Sequence, residues 1–388
     1  MSKREKRDLL PLLGIACVMF LYAAAKPKAG REIQPSSTKN ASMSFIVLGD
    51  LHYDKLEYHD MEWLATKPGD LKQVTDTYVP NTEKNWDDLM NVLKRRIETF
   101  APPVKAVVQL GDLAEGLAGT PEKADLMASG TIATLRATAL QVPWLLAGGN
   151  HDITGPGAKE ALAKHYVPFI REETGNAQIN SVTYTYRIGN AQFVMIDPWD
   201  SSVDAGAFVE KSFAGSDAKY RFVVMHEPAI PATERCWHYL RRAPEQREKF
   251  LEVLARNKAI VLAAHLHRYS VIRRETPFGP IVQVMAISVV GNKRASKPSY
   301  TFGTSDYGPG LVDRKADYEP ATAESRKAML TEEAKYVTFY QMCDLAGYGI
   351  ISIDDAKEEV ILRYYAAFQN DPYDTVNLTE LYRNNSKE

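Results

Sequence analysis

Five short apolar runs in this chain stop abruptly at residues able to hold a metal ion. They are Asp50 and His52 in VLGDLH, Asp112 in VQLGDL, Asn150, His151 and Asp152 in LAGGNHD, His226 in VVMHEP, and His265 and His267 in LAAHLH. Runs of branched apolar residues bounded by turn formers read as buried strands. In sheets flanked by helices, ligands bind beyond the carboxyl ends of the strands, so donors this far apart in sequence can meet at one edge. The glycines at 49, 111, 148 and 149 are expected to permit the sharp exits that this requires.

Between these runs the pattern alternates. An apolar stretch at 44–48 precedes a helix near 82–100, then a run at 105–110, a helix near 122–140 and a run at 143–147, the signature of βαβ units. Trp86, Leu89, Met90, Leu93 and Ile97 recur at helical spacing and define a buried stripe. Further on, runs at 184–188 and 192–196 flank Gly189-Asn190, a pair suited to a hairpin turn. Strands at 219–225 and 259–264 enclose a helix at 245–257, and late strands are expected at 281–290, and at 347–353 and 359–366 around Asp354-Asp355-Ala356. The fold class is α/β: two packed mixed β-sheets with flanking helices, a four-layer α/β/β/α sandwich. One domain over 43–388 suffices, since 388 residues at 45% hydrophobic can bury one large core and no internal repeat divides them. Within it, 291–330 is the least regular stretch. Specificity is expected from the loops at 53–80, 198–216, 228–244 and 291–330.

Residues 1–25 read as a signal peptide or an N-terminal membrane anchor: Lys3, Arg4, Lys6 and Arg7 precede an apolar stretch from Leu9 to Ala25. Residues 26–42, polar and Ser/Pro/Lys-rich, suit a linker. An extracytoplasmic location, periplasmic, secreted or anchored, follows, with membrane contact only through the N-terminal segment if it is uncleaved. Forty-seven basic against forty-nine acidic residues leave a formal charge of −2, which gives no clear nucleic-acid signal. The three cysteines, Cys17, Cys236 and Cys343, have no zinc-finger or disulfide-framework spacing, so any metal is held by other ligands. Cys236 and Cys343 are expected to be buried small hydrophobes, a single bridge being their alternative.

Carboxylate, amide oxygen and imidazole together suit two divalent or trivalent ions such as Mn, Fe or Zn better than Ca or Cu(I). A carboxylate shared by two such ions holds them roughly 3.5–4 Å apart, the spacing at which they activate a bridging water and clamp phosphoryl oxygens. In this order, D-x-H, G-D, G-N-H-D, a lone His and H-x-H resemble the calcineurin-like metallophosphoesterases over about 43–268. The resemblance implies that Asp50, His52 and His267 hold one metal, that Asp112 bridges, and that Asn150, His226 and His265 complete the other. It also makes His151 a general acid or phosphate contact, a role that the titration range of imidazole supports independently. Asp152, taken with His151 as catalytic, could orient that ring or anchor its loop. Two departures are Ala264, where the family usually has Gly, and Leu113-Ala114-Glu115 after Asp112, where a nearby Asp is more frequent.

The expected function is hydrolysis of a small-molecule phosphomonoester or phosphodiester by a metal-dependent phosphoric ester hydrolase. The alternatives are a metal-containing binding protein with lost turnover that presents a ligand surface, and metal chemistry on another bond class. His59, His165 and His238 follow no strand and read as ordinary histidines. Trp199-Asp200 reads as turn chemistry, Arg241 and Arg242 as a solvated face, and the tyrosines from Tyr300 to Tyr318 as a surface loop.

Overall fold

The computed structural model describes residues 42–288 and 297–383. The expected leader, nearly all of the linker, the end of the late strand and the start of the irregular stretch lie outside the described residues.

Two mixed sheets form the centre, and their strands are numbered here in chain order. The first contains β1 (Met43–Leu48), β2 (Val104–Gln109), β3 (Trp144–Leu146), β12 (Gly347–Asp354), β13 (Glu359–Ala366) and β14 (Asp374–Asn377), arranged β14-β13-β12-β1-β2-β3. The second contains β4 (Tyr184–Ile188), β5 (Ala191–Ile196), β6 (Tyr220–Met225), β7 (Ile260–Ala263), β8 (Tyr269–Thr276), β9 (Gly279–Met285), β10 (Thr301–Phe302) and β11 (Val337–Cys343), arranged β10-β11-β8-β9-β7-β6-β5-β4. β1, β2 and β3 run parallel, as do β5, β6, β7 and β9, while the remaining pairings are antiparallel. The C-terminal ends of the parallel strands therefore bring 49–52, 110–115 and 147–152 from one sheet near 197–199, 226 and 264–267 from the other.

Alternation along each strand assigns its side chains to layers. On β5, Phe193 and Met195 join the core between the sheets, whereas Val194 and Ile196 join a separate core beneath the helices. Phe45 of β1 meets Phe193 and Phe222 edge-on, each at 5.0 Å, and so locks one sheet to the other. The helix Val79–Thr99 covers the first sheet with Leu89, Met90 and Leu93, and the helices Ala205–Phe213 and Pro244–Arg256 cover the second with Val209, Phe250 and Leu254. The four-layer sandwich expected from the sequence is the observed one.

Several elements differ from the sequence reading. The stretch 53–80 is mostly helical, with Met61–Ala65, Pro68–Gln73 and a wider π turn over Val74–Tyr78. A helix spans Ala158–Thr174 despite Pro168, another occupies Ala205–Phe213 within a stretch read as loop, and the irregular region closes with a helix over Ala323–Glu333. That last helix is bolted down by charge: Glu333 accepts from Arg247 Nη1 at 2.5 Å and from Arg274 Nε at 3.0 Å, and Arg274 also reaches Glu248. Cys236 and Cys343 are both buried free thiols.

Candidate metal centre

Six of the seven donors inferred from the sequence converge where the parallel strands end, and the seventh, Asn150, lies in the loop whose next residue, His151, donates its backbone N–H to Asp112. Asp50, His52 and His267 form one group, and Asp112, His226 and His265 another; within each, the nearest donor atoms lie within 4.8 Å of one another. Asp112 stands between the groups, its Oδ2 lying 3.0 Å from His226 Nε2 and 3.7 Å from His52 Nε2. Asp50 Oδ1 lies 3.4 Å from His267 Nε2 and 3.9 Å from His226 Nε2, while its carboxylate also accepts the His265 backbone N–H at 3.1 Å. Asp50, His52, Asp112 and His226 are buried; Asn150, His265 and His267 are half-buried and form the open side.

The backbone strain falls on the donors themselves. Asp50, His52, Asp112, His265 and His267 all adopt positive φ, between 42° and 73°, a region that side chains other than glycine occupy sparingly. Of the four glycines expected to take the sharp turns, only Gly111 has positive φ, and a Cβ there would meet the His226 ring at 2.6 Å. At Gly149 the need is for space, because a Cβ would lie 2.1 Å from the Asp112 amide nitrogen. Ala264 stays out of the left-handed region, as its side chain requires, and the turn passes to His265 and His267.

The donor set fits metal cations. Among the described residues, Asn150 Oδ1 is buried with no hydrogen-bond partner. His226 donates from Nδ1 to the Leu110 carbonyl at 2.8 Å, so its buried Nε2, 3.0 Å from Asp112 Oδ2, calls for a proton or a metal ion between the two. Two acceptors pointed at each other repel unless a positive charge lies between them, and buried polar atoms without partners are costly. The protein's own charges show the same conflict. Burial would raise the Asp112 carboxyl, yet His226, His151 and His52 hold it well below the usual range. At His226, burial is outweighed by Asp112 and the ring is pushed up to about 9, while burial takes His265 down to about 3.

A second ring of residues holds the donors in place. His52 Nδ1 lies 2.6 Å from Glu115 Oε2, deep in the protein. Burial raises Glu115 to about 8 and lowers His52 well below its ordinary value; a proton on Nδ1, toward Glu115, leaves Nε2 facing the centre. Glu115 is the contact for which the sequence showed a departure in place of a nearby Asp, and the longer side chain fills that position. His151 is pinned twice, by its backbone N–H to Asp112 Oδ1 at 2.8 Å and by Nδ1 to the Glu115 carbonyl at 2.7 Å. Burial lowers its pKa, but Glu115 and Asp112 raise it well above the ordinary value. Asp152 accepts from the amides of Leu113, Ala114 and Gly149 and from Tyr166 Oη, so its carboxylate anchors the loops and makes no bond to the His151 ring.

Aromatic side chains wall the centre. Tyr78 stacks on His52 at 4.4 Å, Trp199 approaches His226 at 5.8 Å, and Trp237 approaches His265 at 5.4 Å. Trp199 therefore does more than follow a turn. No sequence signal marked Tyr78 or Trp237, which lie in stretches without strand-end character. The other histidines stay outside: His59 pairs with Asp54, His165 with Asp125, and His238 with the Cys236 carbonyl.

Two parallel-centred sheets thus carry a carboxylate- and imidazole-rich cluster at their shared edge, a donor set suited to metal ions. Residues 43–269 match the calcineurin-like phosphoesterases, and the chain belongs to that family. Among solved structures, the purple acid phosphatase PPD1 from seeds of yellow lupin (Lupinus luteus) is similar in fold, with a TM-score of 0.50 and 14% identity over 87% of this chain and 54% of that one. This chain thus spans about half the length of the lupin enzyme. GAP50, the anchor in the inner membrane complex of Plasmodium, gives 0.45 and 13% over 87% of this chain and 89% of that one. PhoD gives 0.46 and 11% over 87% and 68%. None of the curated proteins compared is similar enough in sequence to count as a relative.

Proposed function

We propose that this chain is a dinuclear-metal hydrolase acting on a small-molecule phosphomonoester or phosphodiester. The observation that carries the reading is the position of Asp112 between two donor groups, with an oxygen near an imidazole of each. Asp50, His52 and His267 would hold one ion of the Mn, Fe or Zn kind, Asn150, His226 and His265 the other, and Asp112 would bridge. Bound there, such ions lower the pKa of water and neutralise phosphoryl oxygens.

The protein's own residues supply position and a proton. With His151 Nδ1 committed to the Glu115 carbonyl, Nε2 is the ring atom left to donate to a departing alkoxide, and the Glu115 carboxylate, 3.4 Å from Nδ1, favours the charged ring. Asp152 keeps the loops of Asp112 and His151 in register. The basic-then-apolar pattern of residues 3–25 supports work outside the cytoplasm, after cleavage or on an anchor.

The test is turnover of p-nitrophenyl phosphate and of its bis ester by the purified protein supplied with Mn, Fe or Zn. Turnover that disappears in Asp112→Asn is expected; an unchanged rate in that variant would remove the assignment. A metal-holding protein without turnover would bind the ions and act on neither ester.

A further inference from the structure

We infer that the metal centre is flanked by a second anion subsite centred on Arg235, with Arg268 beside His267 as a further cation, and that the preferred substrates are phosphoesters carrying another negatively charged group. This rests on the hydrolase reading and names the substrate class of the same site.

Arg235 lies in the stretch between β6 and the helix Pro244–Arg256. Its guanidinium sits over the Trp237 ring at 5.1 Å and the Tyr318 ring at 5.3 Å, and those rings meet each other at 6.4 Å. Trp237 in turn lies against the metal-ligand candidate His265. Arg235 is half-buried, and among the described residues its side chain makes no hydrogen bond or ion pair. Its charge also acts on the hydroxyl of Tyr78, the ring stacked on His52.

Arg268 follows His267 directly. Its Nη1 is spent on the His267 carbonyl at 2.7 Å, and its ring partner is Tyr300 at 5.8 Å. Its Nε is buried without a hydrogen-bond partner among the described residues.

Arginines elsewhere in the molecule contrast with these. Arg247 and Arg274 close on Glu333 and Glu248, Arg136 on Glu172, and Arg314 on Asp306. The Arg235 guanidinium, held by aromatic faces, keeps its N–H donors unspent on protein acceptors among the described residues, and such a fork can recognise a carboxylate or phosphate in two-point fashion. Exposed Arg241, also near Trp237 at 5.9 Å, is drawn towards Glu227 and is not assigned to the subsite. The substrate class that satisfies both centres has one phosphoryl group for the metals and a carboxylate or second phosphate for the arginines.

The test uses the full chain loaded with metal and a series of phosphonates of increasing length. Each carries a terminal carboxylate and is paired with a methyl-terminated analogue of the same length. Binding is measured by calorimetry, alongside kcat/KM for glycerol 2-phosphate and 2-phosphoglycerate, which differ in the same way. Wild type is expected to favour the carboxylated member at one chain length by about 10- to 100-fold, the worth of one or two charge-assisted hydrogen bonds. Arg235→Gln should erase that preference while leaving the methyl-terminated series and the melting temperature unchanged, and Arg235→Lys should restore part of it. Equal binding of both series by wild type, or equal weakening of both by Arg235→Gln, overturns the subsite but leaves the hydrolase standing. Failure of wild type to bind any phosphonate overturns the hydrolase reading and the subsite with it.

Discussion

Two buried polar clusters in this molecule follow opposite rules. Around Glu333, the guanidiniums of Arg247 and Arg274 close on the buried Glu333 carboxylate, with Glu248 joining from the surface, and tie the helix Ala323–Glu333 to the helix Pro244–Arg256 and to β8; one Arg247 Nη is left without a partner among the described residues. Around Asp112, carboxylates face imidazole nitrogens, Asn150 Oδ1 has no partner among the described residues, and five donors sit at positive φ. Strain of this kind costs about 1–3 kcal/mol per residue and persists only where the surroundings impose it. In the first cluster permanent positive charges meet the buried carboxylate; in the second the groups that face one another are all possible metal ligands, and several sit on strained backbone. Which charges the chain itself supplies separates a fastening from a site.

Substitutions should break the two clusters differently. Asp112→Asn is expected to lower kcat on the order of 10³-fold or more, since it strips the bridge that positions both donor groups, while leaving the fold of the chelated protein intact by thermal melting. Glu333→Ala, which abandons two buried guanidiniums, should cost about 3–5 kcal/mol in urea unfolding with kcat/KM unchanged in the surviving folded protein.

His151→Gln should reduce kcat about 10²-fold on alkyl phosphates and much less on p-nitrophenyl esters, whose leaving group needs no proton. A uniform loss across leaving groups would assign His151 to phosphate binding instead. Glu115→Gln should weaken metal binding about 10- to 100-fold by loosening His52, read by competition with a chromophoric chelator.

The smallest effect is in pH. At Glu333, burial is outweighed by Arg247 and Arg274, and the carboxyl titrates below its ordinary value. Its contribution to stability is therefore complete above the unfolded pKa, about 4.3, and is lost as pH falls through the folded one. The stability gap between wild type and Glu333→Gln should be flat above about pH 5 and narrow on acidification.

Much of the site was legible in the sequence because parallel strands buried on both faces read as continuous apolar runs. The residue ending such a run is placed by topology, so Asp50, Asp112, His226 and His265 could be read without contacts. What escaped depends on tertiary partners. β8 carries Arg273 and Arg274 side by side, which resembles surface until Glu333 and Glu248 are seen to neutralise Arg274. Pro168 masks the regular pattern of the helix Ala158–Thr174, although that helix packs Phe169 and Ile170 into the core. Tyr78 and Trp237 reach the site from segments with no strand-end signature, so only the fold reveals them. Asp152 could be read either way, and its four hydrogen-bond donors place it with the anchors.

The claim on which the rest depends is that Asp112 joins two cation positions into one centre. Elemental analysis of the purified protein after metal loading and desalting tests it most directly, with Asp112→Asn measured in parallel. The account predicts two ions per chain in wild type and a clear deficit in the variant. A wild type holding one ion or none, or a variant that keeps both, would contradict it.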